Sequence, residues 1–261
     1  MPPAPPPPLD LSLSPEAEAT VALLRSLGTG DVAHTGGSDF LSHLVGVYRV
    51  LKSWGAPEPL CLAGLAHSVY ATEGFQGFSL ECTAESRARV ATALGSLEAE
   101  RIAHVFCCTD RASQDLDLFE SESANWAQRE HRWRVRKRGA PLAAAPVACP
   151  SSPRVFVPGA DGAADPYPGG EIALGHGEWL SYTTLTLADW LEQVEAAALK
   201  ENRHFGWAAG EAWGYRRRAF AAMARAVGGP GAAMHAEVMA REPEGEGREY
   251  EWPGWPADEG E

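Results

Sequence analysis

Residues 40–74 read FLSHLVGVYRVLKSWGAPEPLCLAGLAHSVYATEG, and this stretch decides the fold. In its first part, apolar residues recur every three or four positions, which predicts an amphipathic helix that Ser38 caps and Gly55 ends. Pro57 then begins a second helix that runs to about Ala71. This second helix is apolar on most sides, so we expect it to lie buried in the middle of the domain.

Two histidines mark this helix pair. His67 follows His43 by 24 residues, and two antiparallel helices joined by a tight turn bring such positions face to face. His67 has little polar sequence around it, so its ring needs a partner. Asp189 lies in a later apolar helix, in TLADWLEQ (residues 186–193), where an unpaired carboxylate would be costly. Two imidazoles and one carboxylate predict a site for Mn, Fe or Zn, with an open position that suits catalysis.

The rest of the chain predicts a mainly α fold. Capping residues and apolar periodicity place further helices at about residues 15–26, 84–94, 97–108, 178–200, 211–227 and 232–240. Alternation in Arg132–Arg138 predicts a strand, and Glu171–Leu174 is its predicted partner in a small β-hairpin. The interval 139–170, rich in Ala, Pro and Gly, predicts a long loop.

We therefore expect one helical domain at residues 14–240, with its core at 34–200 and an inserted hairpin and loop at about 131–175. Residues 1–13 are proline-rich and predict a disordered tail, and the acidic segment 241–261 predicts a second one. The sequence leaves the oligomeric state open.

Charge and composition narrow the function classes. The chain has 261 residues and a formal net charge of −13, so its surface repels nucleic acid and anionic membranes. We find no apolar run long enough to span a membrane and no secretory signal. Five cysteines without a CxxC pair argue against a structural zinc site and favour reduced thiols. These features together predict a cytoplasmic protein.

Residues 40–74 resemble the hydrolase domain of the guanosine tetraphosphate hydrolases, in which a helix with His precedes a buried helix that ends in His-Asp. TLADWLEQ resembles that family's later Leu-Ala-Asp-Arg-Leu segment. The resemblance implies an HD-type helical fold with His43, His67 and Asp189 as metal ligands. The string GGSDFLSHL…LAGLAHSVYATEGF is closer still to an HD-like family of unknown function, which typically has His-Ser at the dyad.

This sequence departs from the hydrolase pattern at three positions. Ser68 replaces the Asp of the His-Asp dyad, which is the fourth metal ligand in HD enzymes. Ala71 and Thr72 replace the downstream Glu-Asp pair, which makes guanosine tetraphosphate a doubtful substrate. We expect Glu73 to supply the missing carboxylate, as base or fourth ligand. His34 and His104 are further candidates for the missing ligand, although core or surface packing is the favoured role of His104.

Three functions remain open on the sequence. The first is a metal-dependent phosphohydrolase whose substrate is a phosphorylated small molecule or nucleotide held by Arg49 or Arg111. The second is a non-catalytic HD-like binding or regulatory module in which His67 bonds to Asp189 and no cofactor is present. The third is an iron-dependent HD-type oxygenase, which would need further histidine ligands.

Overall fold

A computed structural model describes residues 11–32, 34, 39–72, 79–109, 133–136, 146–148, 171–198 and 213–241. These residues are mainly helical, as the sequence predicts. The α-helices are α1 (Pro15–Ser26), α2 (Phe40–Ser53), α3 (Glu58–Leu65), α4 (Ala84–Leu94), α5 (Leu97–Cys108), α6 (His176–Ala198), α7 (Trp213–Val227) and α8 (Gly229–Met239).

Helices α2 and α3 form the antiparallel pair that residues 40–74 predict. Asp39, rather than Ser38, caps α2, and its carboxylate accepts a hydrogen bond from the backbone N–H of Ser42 over 2.8 Å. Helix α3 ends at Leu65, earlier than predicted. His67 therefore lies in the turn that follows α3, and the chain then passes through Ala71 with a φ of 64°.

The close approach of α2 and α3 depends on Gly64. A Cβ at Gly64 would lie 2.6 Å from Cδ1 of Leu51 and 3.2 Å from Cγ1 of Val47, both on α2. Real Cβ atoms do not approach other carbon atoms so closely. Glycine at this position therefore lets α3 lie against α2 without displacing the buried Leu51 side chain.

The other helices enclose this pair in one hydrophobic core. Thr20 on α1 donates a hydrogen bond to the carbonyl of Ala93 on α4, over 3.2 Å. Helix α6 contributes a row of buried apolar residues next to α2 and α3, including Leu185 and Leu191. Trp190 on α6 stacks on Phe220 of α7, with ring centroids 4.1 Å apart.

A small sheet precedes α6. Strands β1 (Trp133–Arg136) and β3 (Glu171–Leu174) pair antiparallel, and β2 (Pro146–Ala148) pairs parallel with β3. The two segments predicted as a hairpin are thus strands of a three-stranded sheet with the order β1-β3-β2. The prediction of a two-stranded hairpin was wrong, because a third strand, β2, pairs with β3. Strand β2 lies in the interval predicted to be a loop. It is short and has few apolar residues, so its sequence signal is weak.

Several predictions fall wholly or partly outside the described residues, among them most of the 139–170 loop and nearly all of both tails. At the inner edge of the N-terminal tail, the carbonyl of Ser12 accepts a hydrogen bond from Nζ of Lys52 over 2.8 Å. In the described part of the chain, no helix has the length and apolar character of a membrane span.

Candidate metal centre

Three side chains from three segments of the fold converge in the core. His43 comes from α2, His67 from the turn after α3 and Asp189 from α6. The three residues are about as buried as core leucines, with exposed fractions of 2%, 2% and 1%. One ligand atom from each lies within 4.8 Å of the others. The prediction that these residues form one cluster able to hold a metal ion is confirmed.

Both imidazoles direct the same nitrogen to the same oxygen. Nε2 of His43 lies 3.1 Å from Oδ1 of Asp189, and Nε2 of His67 lies 3.5 Å from that same atom. Donor atoms bound about 2.0–2.2 Å from one ion lie roughly 3–3.5 Å apart when they are neighbours around it. These two distances match those of neighbouring donors around one ion, and the three ligand atoms all lie within 4.8 Å of one another.

The second nitrogen of His67 is already engaged. Its Nδ1 donates a hydrogen bond to the carbonyl of Gly64 over 2.6 Å. A carbonyl can only accept, so Nδ1 carries the proton and a neutral His67 presents a lone pair at Nε2. A lone pair that faces a carboxylate oxygen is repelled by it, and a cation between the two atoms removes that repulsion.

His43 is held in the same way by a carboxylate. Its Nδ1 donates to Oε2 of Glu192, which lies on α6 one turn after Asp189. Burial by itself lowers the pKa of His43. The hydrogen bonds and charges of Asp189 and Glu192 outweigh that effect and raise the pKa of His43 from 6.5 to about 9.

Charge balance also favours a cation. Asp189 and Glu192 both contact His43, whose imidazolium carries a single positive charge. A divalent ion that displaces the His43 proton would balance both carboxylates. Oδ1 of Asp189 also accepts a hydrogen bond from Nε2 of Gln193 over 2.8 Å, so a neighbour on its own helix orients the carboxylate.

A buried ion pair supports the turn that carries His67. Arg87 on α4 donates two hydrogen bonds of 2.7 Å to Glu100 on α5, and neither side chain is exposed to solvent. The hydroxyl of Tyr70 donates to Oε1 of Glu100 over 2.9 Å. The thiol of Cys107 donates to the carbonyl of His67 over 3.1 Å. Helices α4 and α5 thus fix the turn at both His67 and Tyr70.

The other predicted site residues are placed differently. Glu73 and Arg111 lie outside the described residues. Arg49 is exposed on α2, six residues after His43, which turns it about 120° away around the helix. Its role in binding substrate stays a prediction, as do the roles of Glu73 and Arg111.

Two further histidines were considered for the missing ligand. The ring of His34 lies 4.4 Å from that of His43, between centroids, and so borders the cluster. His104 is buried on α5, where its Nε2 lies 3.2 Å from the Cys108 thiol. Among the described residues, the group able to hold a metal consists of His43, His67 and Asp189 and includes neither histidine. Ser68 is buried beside His67.

Sequence reasoning missed Glu192, although it stands in the quoted TLADWLEQ segment. The available signal was a second acid one helical turn after Asp189, on a helix that is otherwise apolar on that side. The pairing of Glu100 with Arg87 has no local signal, because it depends on how two helices pack.

Comparison with known proteins gives one match. A family model described as "Domain of unknown function (DUF6817)" matches residues 23–111, which is less than half of the chain. The match includes His43 and His67 but not Asp189 or Glu192. No curated protein and no solved structure matches the chain significantly. The expected match to a domain of unknown function is confirmed, whereas the HD-like identity stays a prediction.

Proposed function

We propose that this protein is an HD-like, metal-dependent phosphohydrolase that acts on a phosphorylated small molecule or nucleotide. His43, His67 and Asp189 hold a divalent Mn, Fe or Zn ion. The observation that carries the proposal is the approach of two Nε2 atoms to one carboxylate oxygen, at 3.1 and 3.5 Å, with both Nδ1 atoms held by acceptors. A bound ion would supply Lewis-acid chemistry toward a phosphate ester.

The donor set favours a catalytic ion over a structural one. Three protein ligands leave at least one coordination position for another molecule, whereas structural zinc sites are closed by four protein ligands. The mixed nitrogen and oxygen donors suit Mn, Fe and Zn. Glu73, Arg49 and Arg111 remain the candidates for base and phosphate-binding residues.

Metal analysis tests the first half of this proposal. We expect protein purified without added metal to contain Mn, Fe or Zn near one equivalent, and His67→Ala and Asp189→Asn to lose it. His235→Ala, a histidine change outside the cluster, should keep it. Absence of metal from folded wild-type protein, even after incubation with each ion, would overturn the proposal.

Phosphate release tests the second half. Wild-type protein loaded with metal is assayed against nucleotides, sugar phosphates and p-nitrophenyl phosphate. We expect turnover that a chelator abolishes and that Asp189→Asn lacks while retaining its helical circular dichroism. Metal binding without turnover of any substrate would contradict the hydrolase and leave only a metal-binding module.

A second candidate is a non-catalytic HD-like module, and one observation favours it. Nε2 of His43 lies within hydrogen-bond distance of Asp189, and Nδ1 bonds to Glu192, so a protonated His43 closes the network without any ion. In that case Asp189→Asn would be less stable than wild type. Addition of metal would not raise the melting temperature of the wild-type protein.

A further inference from the structure

We propose that Glu192 is a positioning residue, which holds His43 with Nε2 directed at the metal site and so sets the affinity of that site. The inference rests on the proposed metal centre and assigns a role to a residue outside its ligand set. Its basis is the contact between Oε2 of Glu192 and Nδ1 of His43, opposite the Nε2 that faces Asp189.

Glu192 is not a metal ligand in this arrangement, because it contacts the His43 nitrogen that faces away from the metal site. Nδ1 and Nε2 point in different directions from the imidazole, and Oε2 of Glu192 is engaged at Nδ1. The group of residues able to hold a metal correspondingly contains His43 but not Glu192. Glu192 therefore acts on an ion through His43. An acidic partner on a ligating imidazole fixes its tautomer and makes it a stronger donor.

Helix α2 provides the space that this contact needs. Gly46 lies one turn after His43, and a Cβ there would lie 2.2 Å from Oε1 and 2.7 Å from Cδ of Glu192. Any side chain at this position would displace the carboxylate. Gly46 on α2 therefore leaves the space in which the carboxylate of Glu192 on α6 contacts the His43 ring.

The two histidines of the site differ in the group that accepts their Nδ1 proton. His67 donates to a backbone carbonyl, which every residue at position 64 would supply, whereas His43 donates to a side chain that one substitution removes. A carboxylate also carries charge, so it strengthens the His43 donor more than a carbonyl strengthens His67. His43 is consequently the ligand whose strength can be tuned by a single change.

The test is a competition titration of Zn²⁺ against a chromophoric chelator. We expect Glu192→Ala to bind Zn²⁺ about 10- to 100-fold more weakly than wild type, and Glu192→Gln to lie between them. Gly46→Ala, which displaces the carboxylate without removing it, should show a loss similar to that of Glu192→Ala. Glu178→Gln, which removes a different acid of α6, one that pairs with Arg101 on α5, should bind Zn²⁺ as wild type does.

A second measurement does not need the metal. In proton NMR spectra of metal-free protein, the hydrogen bond to Glu192 should protect the His43 Nδ1 proton from exchange with water and give it a downfield signal. That signal should be present in wild type and Glu178→Gln and absent in Glu192→Gln.

The outcomes separate the two proposals. Wild-type protein that binds no Zn²⁺ overturns the metal centre and with it the role of Glu192. Wild type that binds Zn²⁺, with Glu192→Ala within twofold of it, overturns only the inference about Glu192. An unchanged downfield signal in Glu192→Gln would also overturn the inference about Glu192. It would show that the His43 Nδ1 proton is not bound to the Glu192 carboxylate.

Discussion

The carbonyl of Gly64 accepts the Nδ1 proton of His67, three residues further along the chain, over 2.6 Å. The residue that lets α3 approach α2 is thus also the residue that fixes the tautomer of a site histidine. The packing of α3 on α2 and the tautomer of the proposed metal ligand His67 therefore both depend on Gly64.

Gly64→Ala should destabilise the protein by about 1–3 kcal/mol, although alanine favours helices. The new Cβ would overlap Cδ1 of the fully buried Leu51, so either that side chain or α3 must shift. Urea unfolding measures the change. Gly30→Ala is the matched control, because a Cβ at Gly30 meets nothing within 4 Å. Equal stability of the two variants would contradict the close packing described for Gly64.

The stability of the metal-free protein should fall as pH rises from 6.5 to 9. The pKa of His43 is raised to about 9 in the folded state, so the folded protein binds this proton more tightly than the unfolded chain does. The resulting stabilisation is complete below pH 6.5 and disappears as pH passes through 9. Melting temperatures across this range, measured with a chelator present, should decline more for wild type than for His43→Gln. Parallel profiles would rule out His43 as the source.

Glu100→Ala should cost about 3–5 kcal/mol, because it leaves the fully buried Arg87 guanidinium without its bidentate partner. Tyr70→Phe removes one hydrogen bond to the same carboxylate and should cost about 1 kcal/mol. Urea unfolding of metal-free protein again gives both values. If Glu100→Ala were no more costly than Tyr70→Phe, the ion pair would not hold the turn after α3.

Ala71→Gly should leave stability unchanged or slightly raise it. Ala71 has a φ of 64°, and this left-handed conformation costs a residue with a Cβ about 1–2 kcal/mol. Glycine avoids that cost but loses about 0.5–1 kcal/mol through the greater freedom of the unfolded chain. Ala71→Val should be clearly destabilising, since β-branched residues strongly disfavour this conformation. The comparison of the two melting temperatures tests the backbone geometry directly.

The Cys61 thiol should resist alkylation in the folded protein. Burial, with the nearby charge of Glu58 adding to it, raises the pKa of Cys61 to about 12. At pH 8 roughly one thiol in ten thousand would then be ionised. A short pulse of iodoacetamide followed by peptide mapping should label the half-buried Cys82 before Cys61. Labelling of Cys61 as fast as Cys82 would show that α3 opens readily.

The helices and the three ligands were predictable because each has a local signal. Ser14, Thr83 and Ser96 cap helices as their sequence positions suggest, and the 3-4 spacing in residues 40–54 identifies the buried face of α2. His43, His67 and Asp189 are polar residues in apolar surroundings, which is itself the signal of a site.

The remaining features depend on contacts between distant segments. The end of α3 at Leu65 lacks the usual Gly or Pro, so apolar periodicity extended the helix too far. The role of Glu192 requires the rotation of α6 relative to α2, and the three-stranded sheet requires pairing between strands far apart in sequence. No window of local sequence contains that information.

Gly46 and Gly64 set a condition for anyone who would build this site elsewhere. Copying the two histidines, the aspartate and the glutamate onto another helical protein would not reproduce the centre. A side chain at position 46 would displace the Glu192 carboxylate from His43, and one at position 64 would collide with Leu51 and Val47 on α2. A transplanted version must include six residues, and the two glycines among them are needed because they have no side chain.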